Sequence, residues 1–196
     1  MVKKLLITGF DPFGGETVNP SWEAVQLLPE TVSGWQLHKR QIPTVFGKAA
    51  EVVLAAAEEI APDAILCVGQ AGGRSAVTPE VVAINLREAR IADDEGAQPQ
   101  NEPVVPHGPA AYFATVPVRE MVSAINAAGI TAALSYSAGA FVCNDLLYAL
   151  LHRYDGTAVR AGFIHVPFLP QQAKEGQPSM ALETIAAALR IAIEVM

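Results

Sequence analysis

Nucleophilic catalysis by a thiol needs a base beside the sulfur and a third group that orients the base. Cys143, His165 and Glu80 could fill these three roles. Cys143 lies in Ser137-Ala138-Gly139-Ala140-Phe141-Val142-Cys143-Asn144-Asp145, where a strand gives way to a glycine turn and then a helix. That places the thiol in the first or second helical turn, where free backbone N–H groups and the helix dipole favour thiolate and could also hold an oxyanion. The same position also suits a small buried residue that packs the helix onto a sheet. His165 ends the apolar run Gly162-Phe163-Ile164-His165-Val166-Pro167, so it is either a base at a sheet edge or a histidine satisfied by backbone. Glu80 follows a glycine-containing loop and directly precedes a strand, where it could orient the histidine or stand in solvent.

The remaining chemistry-bearing residues offer less. Cys67 sits in Ala64-Ile65-Leu66-Cys67-Val68, a run with no cation to stabilise a thiolate, and reads as core. His38 falls in a polar strand, His107 in a proline-rich stretch and His152 at a helix end. Gly9-Phe10-Asp11-Pro12-Phe13-Gly14-Gly15 lacks the dinucleotide spacing, and Gly69-Gln70-Ala71-Gly72-Gly73-Arg74 lacks the Lys-Ser/Thr of a phosphate loop. No clustered Cys/His/Asp pattern fits a metal, so neither a metal nor a cofactor is expected. Phe10 and Phe13, on either side of Asp11-Pro12, either wall a flat, uncharged ligand or pack beneath their loop.

The elements that must position these groups alternate along the chain. Strands are expected at 4–8, 35–43, 64–68, 81–86, 131–136 and 159–166. Helices are expected at 21–28, with Asn19 as cap and Pro20 at the first position, at 46–60 and 117–127, from 139 or 140 to 152, and at 178–196. Gly9 and Gly69 are read as strand stops, and Ala97 to Pro109, with four prolines, as an irregular surface excursion. Alternation of this kind means an α/β fold: a mostly parallel sheet with helices on both faces and reactive groups at its carboxyl edge. No repeat or linker divides residues 1–196, so one domain is expected.

Hydrophobic residues make up 51% of the chain and charged residues 17%, ample for a closed core. The net charge of −7 makes nucleic acid and anionic membranes poor partners. No apolar run has membrane-spanning length. The opening residues, Met1 to Asp11, do not form a secretory signal, so a reducing cytoplasmic setting with two free thiols is expected.

Three stretches together resemble the pyroglutamyl-peptidase I (pyrrolidone carboxyl peptidase) family of cysteine peptidases. The first is Leu6-Ile7-Thr8-Gly9-Phe10-Asp11-Pro12-Phe13-Gly14-Gly15, leading to Val18-Asn19-Pro20. The second is Gly69 to Arg74, followed by Glu80 and Val82-Ala83-Ile84-Asn85. The third joins Ser137-Ala138-Gly139 and Cys143-Asn144 to Phe163-Ile164-His165-Val166-Pro167. The resemblance implies a three-layer α/β/α domain, often a homotetramer, acting on peptides with an N-terminal pyroglutamate. It implies Cys143 as nucleophile, His165 as base and Glu80 as orienting group. Phe10, Phe13, Asn19 and Gln70 would line the ring pocket, with Arg90 and Asp93 close by. A nucleoside-phosphorylase-like enzyme and a small-molecule binder with an inert Cys143 are the competing readings.

Overall fold

The computed structural model describes residues 2–196. Its frame is a six-stranded sheet built from β1 (Lys3–Phe10), β2 (Thr31–Val32), β3 (Trp35–Ile42), β4 (Ala64–Gln70), β5 (Thr78–Pro79) and β8 (Arg160–Val166), in the order β2-β3-β1-β4-β8-β5. The three central pairings, β1 with β3, β1 with β4 and β4 with β8, are parallel, and the short edge strands β2 and β5 are antiparallel. Apolar runs such as Ala64 to Val68 suit strands covered on both faces, because a parallel sheet hides both sides from water.

The strand period of two divides these runs between two cores. Ala64, Leu66, Val68, Ile164 and Val166 face α1 (Pro20–Leu27), α3 (Val118–Ala127) and α5 (Leu182–Glu194). Ile65, Cys67, Ala161 and Phe163 face α2 (Lys48–Ile60) and α4 (Val142–Arg153). The result is the expected three-layer α/β/α arrangement. Asn19 caps α1 as expected, its side chain accepting from the Ser21 N–H, with Pro20 at the first helical position.

Several expectations need correction. Gly9 and Gly69 do not stop their strands; β3 carries the pairing of β1 on to Phe10, and β8 carries that of β4 on to Gln70. At Gly9 the glycine instead allows a close helix crossing, since a Cβ there would lie 2.6 Å from the Trp22 backbone. The strand expected at 131–136 is reduced to isolated parallel bridges, Val77 with Ala132 and Glu80 with Ser135. Its neighbour is a short edge segment containing Pro79, which has no N–H to give.

Strand 81–86 shortens to β6 (Val82–Ile84), which leaves the main sheet and pairs antiparallel with β7 (Ala111–Phe113). Alternation of strand and helix is therefore broken between β4 and α3. The 97–109 stretch has no strand or helix, yet it is tied down. Asn85 donates to the Val105 carbonyl (2.8 Å) and accepts from its N–H (2.9 Å), while Arg87 and Glu102 form a bridge.

Candidate active site

Strands β4 and β8 run side by side and in register, with Gly69 opposite His165. In a parallel pair, such residues point their side chains to the same face. Extending the alternation from Cys67 and Phe163, that face is the one covered by α2 and α4. The His165 ring packs 4.8 Å from the Phe163 ring on this face. Helix α4 brings its first turn down onto the same spot. A Cβ built on Gly69 would stand 3.1 Å from Cys143 Sγ and 2.7 Å from the Phe163 ring. The bare glycine at the strand end therefore makes room for the sulfur beside the row that carries His165. Both residues line one cavity of about 310 Å³.

Glu80 reaches His165 from the edge of the sheet. β5 pairs with the end of β8, and the Glu80 N–H donates to the Phe163 carbonyl (2.9 Å), bringing the carboxylate under the imidazole. His165 Nδ1 lies 2.7 Å from Glu80 Oε1. Arg74 Nη1 donates to the same oxygen (2.8 Å) and to Thr78 Oγ1 (2.5 Å), and Arg74 Nη2 donates to the Ser137 carbonyl (3.2 Å). Glu80 Oε2 is buried without a hydrogen-bond partner among the described residues.

These contacts set the charge states. Burial opposes ionisation of Glu80, but the bond and charge of His165, aided by the Arg74 guanidinium, hold its carboxyl below the usual range. An ionised carboxylate only accepts, so the proton on Nδ1 belongs to His165. Burial lowers the His165 pKa more than Glu80 raises it, leaving a neutral ring whose Nε2 is the basic nitrogen. Burial also pushes the Cys143 thiol up to about 12, reinforced by the negative charge of Glu80 and opposed by Arg74. Desolvation therefore works against the thiolate that the helix terminus favours. Cys67 is fully buried in its strand and likewise pushed up to about 12, in line with its reading as core.

The other site residues separate into walls and supports. Phe13 and Gln70 line the cavity, as does Arg90, whose chain is exposed at its mouth together with Glu88. Phe13 packs 5.9 Å from Phe141, which meets the edge of Phe46 at 5.1 Å. Phe10 is not a wall. It is buried beneath the loop, 6.3 Å from Phe163, so the two phenylalanines divide between the two readings open to them.

Asn19 is also behind the cavity. Its Nδ2 donates to the Asp11 carbonyl (2.8 Å) and its Oδ1 accepts from the N–H and hydroxyl of Ser21, fixing the loop that carries Phe13. Asp93 does not line the cavity either. It accepts from the N–H groups of Phe46, Glu95 and Ala97, and so seats the ring that backs Phe141.

Sequence reasoning gave no role to Arg74, Phe141, Asn144 or Gln172. Arg74 carried a usable signal, a cation closing a glycine loop six residues before a carboxylate. Asn144 is buried and bonds the Ile84 N–H and the Ile84 and Leu86 carbonyls, locking the start of α4 against β6. Gln172 lies in an irregular segment with no pattern to mark it.

The geometry has counterparts among known proteins. A family model described as pyroglutamyl peptidase matches residues 3–196. A pyrrolidone-carboxylate peptidase of Bacillus licheniformis is 53% identical over 98% of this chain and 91% of its own. One from Bacillus thuringiensis is 50% identical over 99% and 93%. The crystal structure of pyroglutamyl peptidase I from Bacillus amyloliquefaciens superposes with a TM-score of 0.95 at 50% identity, covering 100% of this chain and 95% of that one. A mutant pyrrolidone carboxyl peptidase from Pyrococcus furiosus gives 0.93 at 41% identity, covering 98% and 97%. With its whole length from Lys3 onward matched, its thiol and imidazole on one cavity and its carboxylate bonded to that imidazole from behind, this chain belongs to the pyroglutamyl peptidase family.

Proposed function

We propose that this protein is a cysteine exopeptidase that hydrolyses the bond after an N-terminal pyroglutamyl residue, with Cys143 as nucleophile, His165 as base and Glu80 as the group orienting the base. The observation that carries the reading is an ordered pair on the cavity that Cys143 also lines: an ionised Glu80 holds Nδ1–H of His165, which leaves Nε2 to act as the base.

The reaction starts from a neutral thiol and a neutral imidazole. As Cys143 Sγ attacks the carbonyl joining pyroglutamate to the next residue, its proton passes to His165 Nε2. The imidazolium so formed is stabilised by Glu80. Charge develops on the carbonyl oxygen. The first turn of α4 has no side-chain cap, so its N–H groups are available donors, each worth on the order of 3 kcal/mol. His165 then protonates the leaving amine, and the same nitrogen activates the water that hydrolyses the thioester. Cavity walls of Phe13 and Phe141 suit a flat, uncharged lactam, whereas a charged N-terminal amine would be poorly solvated there.

Hydrolysis of a fluorogenic pyroglutamyl amide, measured beside prolyl and glutamyl amides, tests the proposal. Turnover of the pyroglutamyl amide that Cys143→Ser and iodoacetamide abolish is expected. Phosphate-dependent activity that survives alkylation would overturn it. We also propose a homotetramer, by the family resemblance, and a cytoplasmic location. Light scattering and cell fractionation test these two points.

A further inference from the structure

Gln70 ends β4 at the cavity, and its amide has two faces, one donating and one accepting. A residue outside the cavity bonds that amide. Gln172 lies in the segment between β8 and α5, and its own amide has no freedom to turn. Its Oε1 accepts from the Leu169 N–H (3.1 Å), and a backbone N–H can only donate. Its Nε2 faces the Val18 carbonyl (3.2 Å) and Glu16 Oε2 (3.5 Å), both of which only accept. The same Nε2 meets Gln70 Oε1 at 3.0 Å. Turning Gln70 over would set an NH2 group against an NH2 group.

We propose that Gln172 is a positioning residue that fixes the polarity of the Gln70 amide, so that Gln70 offers the cavity an N–H donor and the lactam carbonyl of the ligand accepts from it. The inference rests on the functional reading above and adds to it the device that sets ring recognition. Specificity for a ring carbonyl then depends on a side chain that never touches the ring. It acts through a backbone N–H on one side and the loop carrying Phe13 on the other.

The test compares wild-type protein, Gln172→Glu, Gln172→Met and each change combined with Gln70→Leu. KM and kcat are measured on a fluorogenic pyroglutamyl amide, and Ki for 2-pyrrolidone as a competitor. A carboxylate at 172 offers only oxygen, so Gln70 must turn its nitrogen toward it and its oxygen into the cavity. KM and Ki are expected to rise together by roughly tenfold in Gln172→Glu, the effect of one misdirected hydrogen bond, with kcat within about threefold. Gln172→Met, which removes the constraint without reversing it, is expected to give a smaller rise. In the Gln70→Leu background neither change should add anything.

Unchanged KM and Ki in a folded Gln172→Glu protein overturn the proposal, as does an effect that persists in full without Gln70. Should Gln172→Glu fail to fold, the same comparison with Gln172→Met decides it. Wild-type protein that neither hydrolyses the pyroglutamyl amide nor binds 2-pyrrolidone overturns the functional reading itself, a result distinct from any difference among the variants.

Discussion

Replacing Glu80 by glutamine separates the charge of this residue from its geometry. Both donors, His165 Nδ1 and Arg74 Nη1, meet the same oxygen, Oε1, at 2.7 and 2.8 Å. A glutamine that leaves its carbonyl oxygen at that point keeps both bonds. What it cannot keep is the negative charge proposed to steady the imidazolium formed during attack. A hydrogen bond to a charged partner is worth about 1.5–3 kcal/mol, against roughly 1 kcal/mol between neutral groups. With loss of the charge attraction added, the barrier should rise by about 2–3 kcal/mol, a fall in kcat/KM of roughly 30- to 150-fold.

The pH profile gives a second readout. Glu80 raises the His165 pKa both by its bond and by its charge. Removing the charge should therefore move the acid limb of kcat/KM to lower pH even as the plateau drops. Stability should fall too, by about 3 kcal/mol, because one member of a buried pair is removed. The figure stays at the low end because 29% of the Arg74 side chain remains in water. Steady-state kinetics on a pyroglutamyl amide between about pH 4 and 9, beside thermal melts, measure all three. Activity within threefold of wild type, or an acid limb that stays put or rises, would refute the assigned role of Glu80.

Gly69→Ala should cut kcat at least tenfold and lower stability by about 1–3 kcal/mol, because its Cβ would press on the Phe163 ring at 2.7 Å and on Cys143 Sγ at 3.1 Å; kinetics and a melt on the purified variant decide this. Since burial holds the Cys143 thiol near 12, its rate of iodoacetamide alkylation should climb steadily from about pH 6 to 9, and a rate already level by pH 6 would contradict a neutral resting thiol. The fold should weaken in acid. His165 has its pKa depressed in the fold, so stability begins to be lost as pH drops below its ordinary value of 6.5. Glu80, also depressed, contributes stability above its ordinary 4.5 that disappears as pH falls through its lower folded value, so Tm should decrease in two stages from pH 8 to pH 3. Phe13→Ala should raise KM for the pyroglutamyl amide more than it lowers kcat, because the ring walls the cavity without touching the sulfur's proton path.

Local pattern was enough to read much of this protein. Apolar runs of strand length, Ala-rich helices and the Asn19-Pro20 start depend on neighbours in sequence, so the layers and most of the elements could be read directly. The three groups proposed to react could be picked out as well, because each stands where a strand ends or a helix begins, and the family motifs surround them. Long-range pairing could not be read. Residues 131–136 look like a strand, but their partner holds a proline and the ladder breaks. Gly9 and Gly69 look like stops, but one neighbouring strand carries the pairing past each, β3 for Gly9 and β8 for Gly69.

The roles of the aromatic and polar residues depended on packing. Phe10 and Phe13 are equivalent by type and spacing, yet one lies in the core and the other in the cavity wall, because the strand ends between them. The ionisation of Cys143 belongs to the tertiary structure for the same reason. A helix terminus is a local feature, but desolvation is imposed by strands and helices distant in the chain, and it works against the thiolate. The sequence by itself determined which groups could react and the layers that carry them. Only the tertiary structure decided which groups touch, which proton is held by Glu80, and which way the Gln70 amide faces, since burial and hydrogen-bond partners arise from residues that meet only once the chain has folded.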